Sequence, residues 1–514
     1  MARATTAPPS ARATPRATVA GVLAGVCAVL LLVLMAGVVL RLPWAGDLGV
    51  HAATIQRLRH DLLHPGDPLV DSGTPSPYNS PWMLLLGALA KVTGLSVFVV
   101  LRIAALMSLT VLVSGVWMFV GTFAAQFAGQ AARRPVASAL VLLCLVFLWG
   151  TTLFDWSGLT GLHSLALTVS YPSTFALGAS FWLWALLRRA LARASGVGPF
   201  VGVGVLWAVI LLSHQFTGVV ASLGAAAMVC GARPWPARAV WLRLAAALAT
   251  GLALLGAWPY YSFFSLFGVG GLEAIHRPLY DDLVGRFWLA AVVGGAALVL
   301  RWLRDRRDPL VLMCLLGLAV FAAGGVSGHW SWGRVLPAVL IPAQVAAALE
   351  VCCAARRTVR VAFGWVLGAA LLTGAWTQAG TLGYVLPRAD LPSAVAAKYR
   401  EPWTGFHWLT PWVRYGDVVM AEQWPARQIP AYGPYTVAPG YPDFFLPDED
   451  ARDAAVRRYF APGSTRGERL AVLRRYRVRW VVARRGDGGL APGDPALKRV
   501  AAGPGGERLY RVVG

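Results

Sequence analysis

The chain has 514 residues, of which 57% are hydrophobic and only 14% charged, with a mean hydropathy of +0.59. Soluble domains carry about 25% charged residues, so an ordinary water-soluble fold is excluded. A net charge of +22 would suit a nucleic-acid binder, but the basic residues fall in short bursts between long apolar runs. That placement belongs to membrane surfaces and excludes nucleic acid as the partner.

In chain order, the Ala/Thr/Pro/Arg-rich tail 1–18, with Arg3, Arg12 and Arg16, reads as disordered and cytoplasmic. About eleven apolar runs follow, at 19–40, 96–120, 137–153, 171–187, 200–212, 218–230, 242–261, 287–302, 310–326, 335–353 and 361–382. Each approaches the ~20 residues a helix needs to cross a bilayer. The pair around Ser213, His214 and Gln215 reads as two short helices or one long one. The first run is long for a cleaved signal peptide and lacks a clear small-x-small site, so it reads as an uncleaved anchor.

Arginines cluster between alternate runs: Arg133 and Arg134; Arg188, Arg189 and Arg193; Arg233, Arg238 and Arg243; Arg301, Arg304, Arg306 and Arg307; Arg356, Arg357 and Arg360. The opposite loops carry Asp47, Asp61, Asp67, Asp71, Asp155, Glu273, Asp281 and Asp282. Cytoplasmic loops retain Lys and Arg, so the N-terminus is expected inside and, after an odd number of spans, the C-terminus outside. The expected divisions are a tail 1–18, a transmembrane helical domain 19–384 with a first outer loop 42–95, and an extracytoplasmic α/β domain 385–514. In that last domain, 418–421, 479–483 and 509–513 read as strands, and 448–460 and 465–476 as helices.

The six cysteines (Cys27, Cys144, Cys230, Cys314, Cys352 and Cys353) lie in or beside apolar runs, so neither a disulfide framework nor a cysteine metal site is expected. There is no Walker-type phosphate loop. No internal repeat appears of the kind from which many transporters are built.

The first outer loop is the most informative segment. Asp47 stands just past the first run, and His51 is four residues on, on the same face of a helix starting there. Asp47 also suits the N-cap of that helix. The apolar stretch 81–90 is too short to span and is expected to lie on or dip into the outer surface.

This arrangement resembles the GT-C superfamily of membrane glycosyltransferases. The likeness rests on Asp47, the long outer loop, the YNSPWMLLLGALAKVTGLS segment re-entering the second span, the many-span body and the outward α/β domain. Members include polyprenyl-phosphate-dependent mannosyl-, arabinosyl- and aminoarabinosyltransferases, which use an acidic residue of the first outer loop to activate the acceptor. The resemblance implies a mainly α polytopic bundle, a polyprenyl-phosphate-linked sugar as donor, and an envelope glycan or lipid as acceptor. The Gly46-Asp47-Leu48 stretch has no second aspartate, so both a divalent metal and the identity of the sugar stay open.

Such an enzyme needs a base for the acceptor hydroxyl and cations for the leaving phosphate. Asp47 is the candidate base. Arg334, which ends the segment SGHWSWGR, is the candidate for the phosphate, joined by His329 and His51. A guanidinium grips phosphate oxygens as a fork. Trp330 and Trp332 are candidates for sugar stacking, as are Trp403, His407, Trp408 and Trp412 at the rim.

Each residue also has a plainer reading. Arg334 would snorkel to lipid headgroups, and the tryptophans would form an interfacial belt. His214 would be a hydrogen bonder between helices. Asp155, His163, Asp281 and Asp282 would be solvated loop residues. A transporter of lipid-linked saccharide and a non-catalytic envelope-assembly protein remain the rival classes. The Ala-, Gly- and Arg-rich composition fits a high-GC bacterium such as an actinobacterium.

Overall fold

The computed structural model describes residues 19–123, 133–268, 272–354 and 356–513. The tail 1–18 lies outside the described residues.

All eleven apolar runs form helices, because a chain in hydrocarbon satisfies its backbone only by internal hydrogen bonding. Eight are long and apolar enough to cross a membrane: Gly21–Arg41, Val97–Phe123, Pro172–Ala192, Arg238–Gly256, Leu283–Arg304, Pro309–Ser327, Trp330–Cys353 and Arg357–Thr377. The remaining three runs are shorter than a full span: Arg133–Phe147, Val197–Ser213 and Gln215–Cys230. At 1.5 Å per residue, 15 helical residues reach about 23 Å, short of the ~30 Å hydrocarbon core. The run expected to continue to 153 stops at Phe147, and the amides of Thr151 and Thr152 then donate to the carbonyl of Gly285. Around residue 214 the two-helix reading holds. His214 is extended (φ −159°, ψ 101°), and its side chain caps the second helix by accepting from the amide of Thr217.

The helix Trp330–Cys353 is the centre of the bundle, with 89% of its most apolar window buried, against 17% for Arg357–Thr377. Outer helices instead present Leu242, Trp365 and Leu372 outward, each more than 70% exposed. That pattern suits lipid contact rather than water. At the bundle end far from the C-terminal domain, Arg301 pairs with Asp308 at 2.7 Å, and Arg304 pairs with the buried Glu350.

The first loop builds two short helices. Those labelled here run α1 (Val19–Arg41), α2 (Leu48–His60), α3 (Pro81–Thr93) and α4 (Val97–Val120). Helix α3, capped by Ser80 with Pro81 in its first turn, matches the expected non-spanning apolar stretch.

The C-terminal domain holds a five-stranded sheet in the order β2-β1-β3-β5-β4, with β1 Val418–Met420, β2 Tyr435–Thr436, β3 Trp480–Arg484, β4 Leu497–Ala502 and β5 Glu507–Val512. β1 runs parallel to β2 and β3; β5 is antiparallel to β3 and β4. Helices Glu449–Phe460 and Arg466–Arg475 cover it, the second opened by a Thr465/Glu468 capping box. The three expected strands and both expected helices are present. β2 has two residues and β4 is mostly exposed, so neither carries an alternating apolar pattern.

This domain and the first loop pack as one unit. Val70 bridges to Thr436, whose amide donates to the carbonyl of Leu69 at 2.9 Å. Arg57 of α2 is only 1% exposed and donates to the carbonyls of Gly433 (2.7 Å), Pro434 (2.6 Å) and Pro68 (3.3 Å). Its guanidinium also lies 3.6 Å from the centre of the Tyr435 ring.

Candidate active site

The turn between α1 and α2 is shaped for close approach. Leu42 and Gly46 take positive φ (50° and 48°), a conformation Gly46 adopts without penalty. Two tyrosines from distant segments pin the turn. The Tyr171 hydroxyl donates to the carbonyl of Ala45 at 2.5 Å, and the Tyr441 hydroxyl to that of Gly46 at 2.7 Å. Tyr171 precedes the helix Pro172–Ala192, whereas Tyr441 belongs to the C-terminal domain.

Asp47 follows at the N-cap position of α2, but its side chain makes no capping hydrogen bond. The carboxylate lines a cavity of about 830 Å³ instead. Burial raises its pKa above the ordinary carboxylate value, and the nearby charges of Arg334 and Arg427 partly counter that rise.

One helical turn on, His51 lines the same cavity and is 7% exposed. Its ring packs edge-on against Tyr171 (4.6 Å between centroids) and Tyr78 (6.2 Å). Its buried Nδ1 has no hydrogen-bond partner within the protein. Burial lowers its pKa to about 3, so the ring is neutral at physiological pH.

Arg334 enters from a 3₁₀ turn, Trp330–Val335, that leads into the central helix. Its Nη2 donates to Ser157 Oγ at 3.1 Å and lies 3.3 Å from His214 Nε2. The guanidinium also sits 4.7 Å from the Phe216 ring centre. It takes part in none of the ion pairs found among the described residues. It therefore turns into the protein rather than toward headgroups, and its charge is left for the cavity.

His329 and Trp332 also line the cavity, with their rings stacked at 5.3 Å and Trp332 44% exposed. Trp330 does not. It packs edge-on against Tyr280 at 5.1 Å, because neighbouring residues of a 3₁₀ turn point about 120° apart. Of the rim candidates, none of Trp403, His407, Trp408 and Trp412 lines the cavity.

The structure adds residues to which sequence reasoning gave no role in the site. His214 and His276 join His51 and His329, so four of the chain's eight histidines line one cavity. Their spacing along the chain carries no motif; a histidine between two apolar runs was the only signal for His214. Asp155 lines the cavity and pairs with Arg400 at 3.2 Å, while His163, expected in solvent, is 3% exposed. Tyr78, Tyr171, Glu273 and Ser331 are among the other polar residues that line it.

Leu167, Val219, Phe263, Leu266, Ile275 and Val320 are among the apolar residues that line the cavity. Phe267 and Ile275, 77% and 47% exposed, continue this apolar lining onto the surface. Among the described residues, no group of three or more His, Cys, Asp or Glu is arranged to hold a metal ion. The donor set for a resident divalent metal is thus not assembled among them.

No protein-family model and no curated protein sequence matches the chain. Solved structures do. Arabinofuranosyltransferase AftD from mycobacteria aligns with a TM-score of 0.55 at 18% identity, over 96% of this chain and 40% of that one. ArnT from Cupriavidus metallidurans in the apo state aligns with a TM-score of 0.55 at 16% identity, over 96% of this chain and 98% of its own. ArnT bound to undecaprenyl phosphate gives a TM-score of 0.51 at 14% identity, with the same coverages. The chain thus spans less than half the length of the AftD chain and nearly all of ArnT. It is a multi-pass membrane protein with the GT-C fold that these proteins share.

Proposed function

We propose that this protein is a membrane glycosyltransferase that moves a sugar from a polyprenyl-phosphate donor to a cell-envelope acceptor at the outer face of the membrane. The observation that carries this reading is the presence, in one partly apolar cavity, of a desolvated carboxylate, Asp47, and a guanidinium free of carboxylate partners among the described residues, Arg334. The likeness to ArnT bound to undecaprenyl phosphate supports a lipid-phosphate ligand for the same fold.

In the proposed reaction, the acceptor hydroxyl oxygen attacks the anomeric carbon of the donor while Asp47 takes the hydroxyl proton. The bond from that carbon to the phosphate oxygen breaks, and the electron pair leaves with the polyprenyl phosphate. Arg334 stabilises the charge gathering on the phosphate. The neutral His51 offers a hydrogen bond to a bound sugar or phosphate, His329 lies against Trp332, and Trp332 supplies a stacking face. The apolar lining that reaches the surface at Phe267 and Ile275 receives the prenyl chain.

The basic loops support an N-terminus in the cytoplasm. The C-terminal domain, the first loop and the cavity then lie outside. Sugar donors there are lipid-linked, because nucleotide sugars are confined to the cytoplasm. The deciding experiment supplies membranes bearing the protein with polyprenyl-phosphate sugars and follows release of polyprenyl phosphate. Release that requires Asp47 supports the reading, and its absence with every envelope sugar tried would sink it.

A further inference from the structure

Glu273 is a cavity-lining carboxylate that the proposed chemistry leaves unused. It stands in the short helix Glu273–His276, between two membrane-spanning helices. Both of its oxygens are committed to one residue: Oε2 accepts from the Ser331 amide at 2.8 Å, and Oε1 accepts from the Ser331 hydroxyl at 2.8 Å.

Ser331 lies in the 3₁₀ turn Trp330–Val335, three residues before Arg334. Side chains at i and i+3 of a 3₁₀ helix lie one above the other, so Ser331 and Arg334 share a face. Both line the cavity, as does Glu273. The segment that carries Glu273 grips the turn at a second point. A Cβ added at Gly333 would stand 2.8 Å from the Tyr280 ring and 2.9 Å from Leu279, so the backbone there is in close contact.

We propose that Glu273 is a positioning residue for the phosphate site: by holding Ser331 through both carboxylate oxygens, it fixes the turn that aims Arg334 at the donor phosphate. This inference rests on the phosphate reading of Arg334. A carboxylate suits the task because it accepts two bonds at once, and charge-assisted hydrogen bonds are about twice as strong as neutral ones. Arg334 feels the charge of Asp47. Glu273 makes no ion pair with it, so the turn is anchored while the guanidinium stays available.

The test measures binding of undecaprenyl monophosphate to the purified full-length protein in lipid nanodiscs. Glu273→Gln offers one acceptor oxygen and turns an NH₂ donor toward a donor of Ser331. It should weaken binding about tenfold, the order of one lost hydrogen bond to a charged group. Ser331→Ala, which keeps only the amide, should weaken it less. Ser331→Thr, which keeps both donors, should bind normally. In an Arg334→Ala background, Glu273→Gln should add nothing, a non-additivity that general destabilisation would not produce.

Wild-type binding by Glu273→Gln, or a full tenfold further loss in the Arg334→Ala background, would overturn the inference. Wild-type binding by Arg334→Ala would instead remove the phosphate reading itself. The two failures are therefore distinguishable.

Discussion

Asp47 and Arg334 line one cavity and feel each other's charge, yet no ion pair joins them. A closed pair would neutralise the base and occupy the guanidinium. Held apart, each keeps its chemistry for a ligand between them: the carboxylate for an acceptor proton, the guanidinium for a phosphate.

Asp47→Asn should abolish transfer while leaving insertion and folding intact. A positioned carboxylate base contributes about 10²–10⁴-fold, and Asp47 makes no capping bond whose loss would disturb α2. Because burial raises its pKa, the wild-type rate should climb with pH through a midpoint above the ordinary carboxylate value of 3.8. Asp61→Asn and Asp71→Asn, outside the cavity, should cost little. Release of polyprenyl phosphate, followed against pH, checks all of these, and near-normal turnover by the Asp47→Asn protein would remove the base.

Arg334→Lys retains the charge but loses the planar fork. Hydrogen bonds to charged groups are worth about 1.5–3 kcal/mol, so the donor KM should rise roughly tenfold to a hundredfold. Arg334→Ala should lose more. Steady-state kinetics with varied donor checks this, and full activity in the alanine variant would return Arg334 to a structural role.

Stability should fall as pH rises between about 4 and 8. Asp443, 2% exposed in the C-terminal domain, faces Asp67 of the first loop, and each has a buried Oδ2 without a hydrogen-bond donor from the protein. Burial, with Asp67 beside it, pushes Asp443 from 3.8 up to about 8. Between those values the folded protein holds a proton that the unfolded chain has released. The stabilisation is therefore complete below the unfolded pKa and lost through the folded one. Glu449, which accepts from the Asp443 amide, is raised too and acts in the same direction, while Tyr78 faces the pair. Asp443→Asn should flatten this slope in thermal unfolding of the detergent-solubilised protein; an unchanged slope would place the retained proton on another group.

Arg57→Leu should loosen the C-terminal domain. It strands two buried carbonyl acceptors, of Pro68 and Pro434, and leaves that of Gly433 with the Gly416 amide alone. At about 1–3 kcal/mol for each unsatisfied group, the loss should reach about 2 kcal/mol or more. Limited proteolysis should then cut at the junction 433–436 faster than in the wild type. Equal cutting rates would show that other contacts hold the domain.

Reporter fusions after Arg134, Arg193, Arg243, Arg307 and Arg360 should behave as cytoplasmic, and a fusion at the C-terminus as external. A cytoplasmic C-terminus would move the cavity to the wrong side for a lipid-linked donor and overturn the orientation.

The helices of the bundle were legible from the chain alone. Hydrocarbon leaves a backbone no partner but itself, so each long apolar run becomes a helix whatever its neighbours. The same local logic found helix α3, strands β1, β3 and β5, and Asp47 at the head of α2. Assembly of the cavity is a different kind of fact. Tyr171, His214, Glu273, Arg334 and Tyr441 are spread along the chain, and their meeting depends on how the helices pack and where the C-terminal domain docks. No local pattern shows that Arg57 binds carbonyls some 376 residues away, or that Trp330 turns out of the cavity while Trp332 turns in. Composition and periodicity act within one element; the cavity is made by several, and only the tertiary structure brings them together.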